Sequence, residues 1–231
     1  MSEDRMGTDA VISAENLVKT YGYGRGSLTV LKGISLEIKK GEIVSIVGPS
    51  GAGKSTLLNI IGCLDSFQDG GLRVLGKNMS KLSVEILSGF RNSHIGFVFQ
   101  FHNLLPEFSA MENIMIPLMI RRMRKSDAKE RAVRLLDRFN LSDRAFHKPT
   151  ELSGGECQRV AVARAIVGNP DIILADEPTG NLDRANSRML TDTLLELGRE
   201  NGATIIIVTH DREIADRTEK TITLIDGKIE A

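Results

Sequence analysis

Cysteine is scarce in this chain: Cys63 and Cys157 are the two among 231 residues. Two distant cysteines make no disulfide scaffold for a domain of this size, so a reducing compartment is expected. Long apolar runs are missing as well. The longest, Ile114 to Ile120 and Ile205 to Val208, fall well short of the ~20 residues a membrane helix needs. A chain of this kind working at a membrane works from the aqueous side and borrows spanning helices from other chains. The opening MSEDRMGTDA has acids near its start and no apolar stretch behind them, which is not the pattern of a signal peptide. An excess of one charge is absent too, since 30 Lys and Arg balance 30 Asp and Glu. Binding along a phosphate backbone usually leaves a basic surplus, so no nucleic-acid partner is expected. Internal repeats and low-complexity tracts are also lacking.

What remains is a chain with enough apolar residues, 41%, for one α/β domain with a small inserted helical lobe. Ile34 to Ile38 alternates apolar and polar, as a half-buried strand does. Ile43 to Val47 is nearly all β-formers; glycines intervene, and Thr56 to Ile61 reads as a buried helix. Strand, glycine loop and helix in succession mark a phosphate-binding βα turn. Leu72 to Leu75 is a further short strand, and His94 to Phe99 is one that ends at Gln100. The middle changes character. Met111 to Arg124 and Ser126 to Asn140 read as helices, the second with Ala128, Ala132, Leu135, Leu136 and Phe139 on one face. Beyond a glycine pair come a helix to Val167, a strand from Ile172 to Ala175, a helix from Ala185 to Arg199, and strands at Thr204 to Val208 and Thr221 to Ile225. Such alternation implies a largely parallel sheet with helices on both faces.

Gly48 to Ser55 reads GPSGAGKS, a match to G-x-x-x-x-G-K-[ST]. Gly48, Gly51 and Gly53 permit tight turns, so that successive N–H groups of the loop can point at phosphate oxygens; Pro49, Ser50, Ala52 and Thr56 complete the candidate ATP-binding stretch. Lys54 can reach the β- and γ-phosphates, the Ser55 hydroxyl can ligate Mg²⁺, and the helix N-terminus adds partial positive charge. Ile172 to Glu177 reads IILADE. Four apolar residues place a central strand and Asp176 emerges at its C-terminal edge, where ligands of such sheets sit. Asp176 is the candidate Mg²⁺ ligand, and Glu177 the residue that orients and deprotonates an attacking water. The plainer reading is a pair of capping carboxylates before Pro178. Leu152 to Glu156 reads LSGGE, followed by Gln158 and Arg159. Ser153, Gly154 and Gly155 open a helix and present a hydroxyl and N–H groups to an anion. Ser153 also serves as an ordinary N-cap, which is compatible with that contact.

With LSGGE lying between the two nucleotide motifs, the chain resembles the ATPase subunits of ABC transporters from about Ile12 to Ile229. The resemblance implies an ABC-type P-loop ATPase fold over residues 1–231. An antiparallel β portion lies near the N-terminus, and a helical subdomain is inserted at about 101–168. It implies ATP and Mg²⁺, and a homodimer in which Ser153, Gly154, Gly155 and Glu156 act on the opposite subunit's ATP. Gln100 resembles the glutamine that touches Mg²⁺ and senses the membrane partner. Asn181, Leu182 and Asp183 resemble the segment that crosses the dimer interface, and His210 the histidine that contacts the γ-phosphate. Tyr21, in KTYG, fits the residue that stacks on adenine, with Tyr23 a competing candidate.

Gln100 to Asn113, QFHNLLPEFSAMEN, is similar to the ATPases of lipoprotein-releasing systems, with Asn103 and Glu107 departing from their frequent His and Asp. ILADEPTGNLD, at 173–183, is shared with macrolide-exporter and cell-division ATPases. The implied partners are integral membrane subunits of the LolC and LolE kind, and the implied place is the cytoplasmic face of the inner membrane, peripherally. Phe101, Leu104, Leu105 and Phe108 are too many large apolar groups for a freely solvated loop. They are candidates for docking to such a partner; packing on their own domain is the alternative. Arg121, Arg122, Arg124 and Lys125 form either a solvated helix face or an approach to anionic headgroups. A DNA-repair or chromosome-organising ATPase would carry a long coiled-coil insertion, and a translation-type protein two cassettes; this chain has neither. A purely regulatory nucleotide module would not need both Glu177 and His210.

Overall fold

A computed structural model describes residues 9–22, 26–180 and 182–230. The chain separates into two compact units, Met1–Ser88 with Ile206–Ala231, and Gly89–Ile205.

The first unit begins with two strands of 12 residues each, β1 (Ala10–Tyr21) and β2 (Leu28–Lys39). They pair antiparallel, and β1 also pairs antiparallel with β4 (Asp69–Val74), which continues to the short β5 (Lys77–Asn78). The sheet order is β2-β1-β4-β5. The alternation expected at 34–38 lies in β2, where Ile34, Leu36 and Ile38 are buried and Ser35 and Glu37 are exposed. β1 hides from pattern reading because its register shifts repeatedly and Asn16 adopts φ +49°, which breaks the two-residue period.

A second sheet of this unit is parallel at its centre. β3 (Ile43–Val47) pairs with β9 (Lys220–Ile225), and β9 turns back antiparallel into β10 (Lys228–Ile229). β8 (Thr204–Val208) is divided between the two units. The order is β10-β9-β3-β8 in the first unit and β8-β7-β6 in the second. All five residues of β8 are buried, as are the first four of β3, which is why these strands read as continuous apolar runs. α1 (Lys54–Ile61) leaves β3 through the glycine loop and buries Leu57, Leu58, Ile60 and Ile61. The short α7 (Arg212–Ala215) follows β8.

In the second unit β6 (Ile95–Val98) pairs in parallel with β7 (Ile172–Asp176), Val98 opposite Ala175. α3 (Ala110–Ile120) packs on α4 (Lys125–Arg138) and α5 (Gly154–Ile166), and α5 packs on α6 (Arg184–Glu200). The region expected to be a helical subdomain, 101–168, falls within this unit. Pattern reading missed α2 (Val84–His94), whose one buried residue is Phe90. It also ran the first middle helix to Arg124, whereas α3 stops at Ile120. Arg122 takes φ +58°, and Met123 N donates to Leu118 O while Arg122 N donates to Met119 O. That is a Schellman ending built on an arginine in place of the usual glycine. The following helix ends the same way on Asn140, at φ +53°, a residue better suited to the role.

Candidate functional site

The loop between β3 and α1 is shaped by glycines at φ +148° (Gly48), +80° (Gly51) and +101° (Gly53). A Cβ on Gly48 would overlap the Leu224 carbonyl of β9, and one on Gly53 would lie 2.8 Å from Leu31 Cδ2. Both positions therefore require glycine by conformation and by space. Gly227 N donates to Ala52 O at 3.2 Å and ties the loop to the β9–β10 turn. No side chain caps α1 and its first turn holds no acid, so its positive end is left for an anion. Lys54 Nζ lies across the loop, donating to Gly48 O at 2.8 Å and Pro49 O at 2.9 Å. Ser50 and Ser55 are exposed and Thr56 half-buried along the same turn. This donor set, an ammonium beside a turn of peptide groups and a hydroxyl, fits a phosphate chain with its metal.

Tyr21 ends β1 with 42% of its surface exposed. Its hydroxyl donates at 2.5 Å to Oδ2 of Asp65, in the segment that follows α1. Burial first, and then the Asp65 carboxylate, push the phenol's pKa up. Tyr23 lies outside the described residues. His210 is exposed just beyond β8, and Thr209 N donates to Ile46 O at 3.2 Å, so the ends of β8 and β3 lie together. The first unit thus gathers Tyr21, the 48–56 loop and His210.

In the second unit Asp176 ends β7 with four buried residues behind it. Glu177 has φ +45°, a left-handed conformation that a non-glycine residue adopts at some cost and that concentrates at functional sites. Gly180 N donates to Glu177 O at 3.1 Å and closes the turn. A Cβ on Gly180 would sit 3.6 Å from Gln100 Nε2, so the Gln100 side chain lies against the same turn.

Ser153 caps α5. Its Oγ accepts from Glu156 N at 3.3 Å, and Ser153 N donates to the Glu156 carboxylate at 2.7 Å. The Ser153 N–H is the largest influence holding Glu156 at about 2, with the Ser153 hydroxyl and Arg144 (3.0 Å) adding to it against burial, which pushes up. Gly154 has open space where a Cβ would go, and Gly155 meets Leu182 at an ordinary 3.6 Å. The chain's own packing does not demand either glycine. Asp183 caps α6 by accepting from Asn186 N at 2.9 Å, and that bond is the chief cause of its lowered pKa. Arg159 Nη1 donates to Asn186 Oδ1 at 3.2 Å, linking the two helix starts. Asn181 lies outside the described residues.

The segment after Gln100 is braced from behind. Phe101, Leu105 and Phe108 are 67%, 43% and 41% exposed, and Leu104 is half-buried. Sequence reading missed the braces. Asn113, fully buried, accepts from Leu105 N at 2.8 Å and donates to Leu105 O, Phe108 O and Ser109 O at 3.0–3.1 Å. Arg164 donates to Asn103 O and His102 O at 2.7 and 2.8 Å. A polar residue inside the apolar face of α3 was the available signal for Asn113; Arg164 had none. Arg121 belongs neither to a solvated face nor to a headgroup patch. Its guanidinium donates to Asn92 O and, at 2.8 Å, to Gly168 O.

The sequence profile described as ABC transporter matches residues 31–180. The chain belongs to the ABC transporter family, and it is an ATP-binding, ATP-hydrolysing cassette. Within that family it is 53% identical to the "Lipoprotein-releasing system ATP-binding protein LolD" of Bacteroides fragilis, over 95% of this chain and all of the relative. It is 52% identical to the protein of the same name from Porphyromonas gingivalis, over 94% of this chain and 97% of the relative. The fold matches the dimeric post-hydrolysis structure of the ATP-binding cassette MJ0796 bound to ADP and Pi. The TM-score is 0.90 at 43% identity, covering 95% of this chain and 97% of that one. Among the described residues no helix is long and apolar enough to cross a membrane.

Proposed function

We propose that this chain powers the release of lipoproteins from a bacterial inner membrane, as the peripheral ATPase bound to LolC/LolE-like membrane subunits on the cytoplasmic face. The observation that carries the reading is the likeness to LolD proteins along 95% of the chain. In this reading residues 1–231 form a single ABC ATPase domain with a helical subdomain at about 101–168. Lys54 exchanges its loop carbonyls for β- and γ-phosphate oxygens, while the peptide groups of 48–56 cradle the rest. Ser55, Gln100 and Asp176 hold Mg²⁺, which when bound neutralises charge on the phosphates. Glu177 orients the attacking water and takes its proton. His210 donates toward the γ-phosphate.

Two copies close head to tail in this scheme. Ser153, Gly154, Gly155 and Glu156 of one chain face the ATP of the other, with Asp183 beside them. The dimeric MJ0796 cassette supports the pairing of two copies, and two glycines that the chain's own packing does not need support the contact across it. Phe101, Leu104, Leu105 and Phe108 dock on the membrane subunits, and Asn113 and Arg164 keep that segment rigid. The test is co-expression with a LolC/LolE-like pair from the same genome. A stable complex that releases lipoprotein from proteoliposomes with ATP supports the reading. Assembly only with macrolide-exporter-type or cell-division-type membrane proteins, or purification with nucleic acid, would replace it.

A further inference from the structure

We propose that Lys19 and Asp65 are positioning residues for ATP: together they clamp the Tyr21 ring as a preset platform for the base. The inference rests on the reading of Tyr21 as the base-stacking residue. Lys19 is the unusual residue here, a lysine on β1 only 4% exposed. A buried ammonium persists only when its protons are taken up. Nζ donates to Asp65 Oδ1 at 2.6 Å and to Ser66 O at 2.7 Å, and it also lies 4.6 Å from the centre of the Tyr21 ring. That distance is within cation–π range. Asp65 spans the group. Its Oδ1 takes Lys19 and the Ser66 N–H at 2.7 Å, and its Oδ2 takes the Tyr21 hydroxyl at 2.5 Å.

The ring is therefore held at its hydroxyl end by a carboxylate and along its surface by an ammonium, with 42% of the residue still exposed to receive a ligand. A tyrosine free to rotate must surrender that freedom when a base stacks on it; one already held does not. Asp65 follows α1, the helix that the phosphate loop opens, so the clamp ties the platform to the element that carries the phosphate grip. A purely structural role for the Lys19–Asp65 pair would pin β1 to the segment after α1, and it would need no tyrosine hydroxyl.

The experiment measures KM for ATP, and inhibition by inorganic tripolyphosphate, in full-length Lys19→Met, Asp65→Asn, Tyr21→Phe and Tyr21→Ala. Tripolyphosphate engages the loop and has no base. Expected is a rise of about three- to tenfold in KM for ATP in the first three variants, with kcat and tripolyphosphate inhibition held. Tyr21→Phe combined with Asp65→Asn should cost less than the sum of the two, because both weaken the bond between the tyrosine hydroxyl and the Asp65 side chain. Tyr21→Phe removes one oxygen at a half-exposed site, so it serves if the charge variants fail to fold. Parallel weakening of ATP and tripolyphosphate assigns the clamp to structure and overturns the proposal. Unchanged KM in the first three variants with a raised KM in Tyr21→Ala overturns the clamp but keeps the stacking platform. An unchanged KM in Tyr21→Ala removes the platform itself.

Discussion

Replacing Asn113 by alanine tests whether the docking segment is braced as its geometry indicates. The side chain is fully buried and serves four backbone groups: Leu105 N, Leu105 O, Phe108 O and Ser109 O. At about 0.5–1.5 kcal/mol net per bond, the sum would reach about 2–6 kcal/mol. Two features lower it. Ser109 O keeps its bond from Asn113 N at 2.9 Å, and Leu105 and Phe108 are each over two-fifths exposed, so their freed groups can reach water. The expected loss is about 2 kcal/mol, read as a shift in the urea midpoint with the m-value unchanged. Asn113→Asp should be worse than Asn113→Ala, because a carboxylate would face three carbonyl oxygens with no proton to offer them. Nucleotide binding should survive in Asn113→Ala, since the phosphate loop is untouched, while pull-down of the membrane subunits weakens. A loss of stability below about 0.5 kcal/mol from that midpoint shift, with Asn113→Asp no worse than Asn113→Ala, would refute the brace.

Other outcomes follow from the same geometry. Glu177→Gln should keep ATP binding, lower turnover by roughly 10²–10⁴-fold and trap an ATP-bound dimer; near-normal turnover removes Glu177 from its role. Mixing Ser153→Arg with Lys54→Ala chains should restore activity through mixed dimers that keep one whole site, whereas activity linear in protein concentration, with no nucleotide-dependent dimer, argues for independent sites. Leu105→Glu should abolish membrane-subunit pull-down and Phe108→Ala weaken it, since an anchor of that size is worth ~1.5–3 kcal/mol; unchanged pull-down and transport in both return the cluster to intradomain packing. Glu156 sits at about 2 in the fold against 4.5 ordinarily, so its stabilisation is complete above pH 4.5 and is lost as pH falls toward 2. Glu156→Gln should flatten the stability curve across that window, and equal slopes in the two proteins would count against the capping box as its source.

Sequence alone determined the parts of this protein whose chemistry is local. GPSGAGKS, IILADE and LSGGE each place their donors or carboxylates within a single turn, and the strand before and helix after the loop follow from adjacent apolar residues. The conformation of a glycine at 48 or 53 is legible because few residues can adopt it. Tertiary structure decided whatever depends on a distant partner. Lys19 reads as a surface charge until Asp65, 46 positions away, accepts a hydrogen bond from it beside Tyr21. Arg121 reads as one of four basic residues in a run until the Gly168 carbonyl, 47 positions on, claims it. β1 is unreadable because bulges break its alternation, and α3 ends early on an arginine where a glycine would have announced the stop. A backbone turn is written in neighbouring residues, but a hydrogen bond across the fold is written in neither partner until the chain brings the two together.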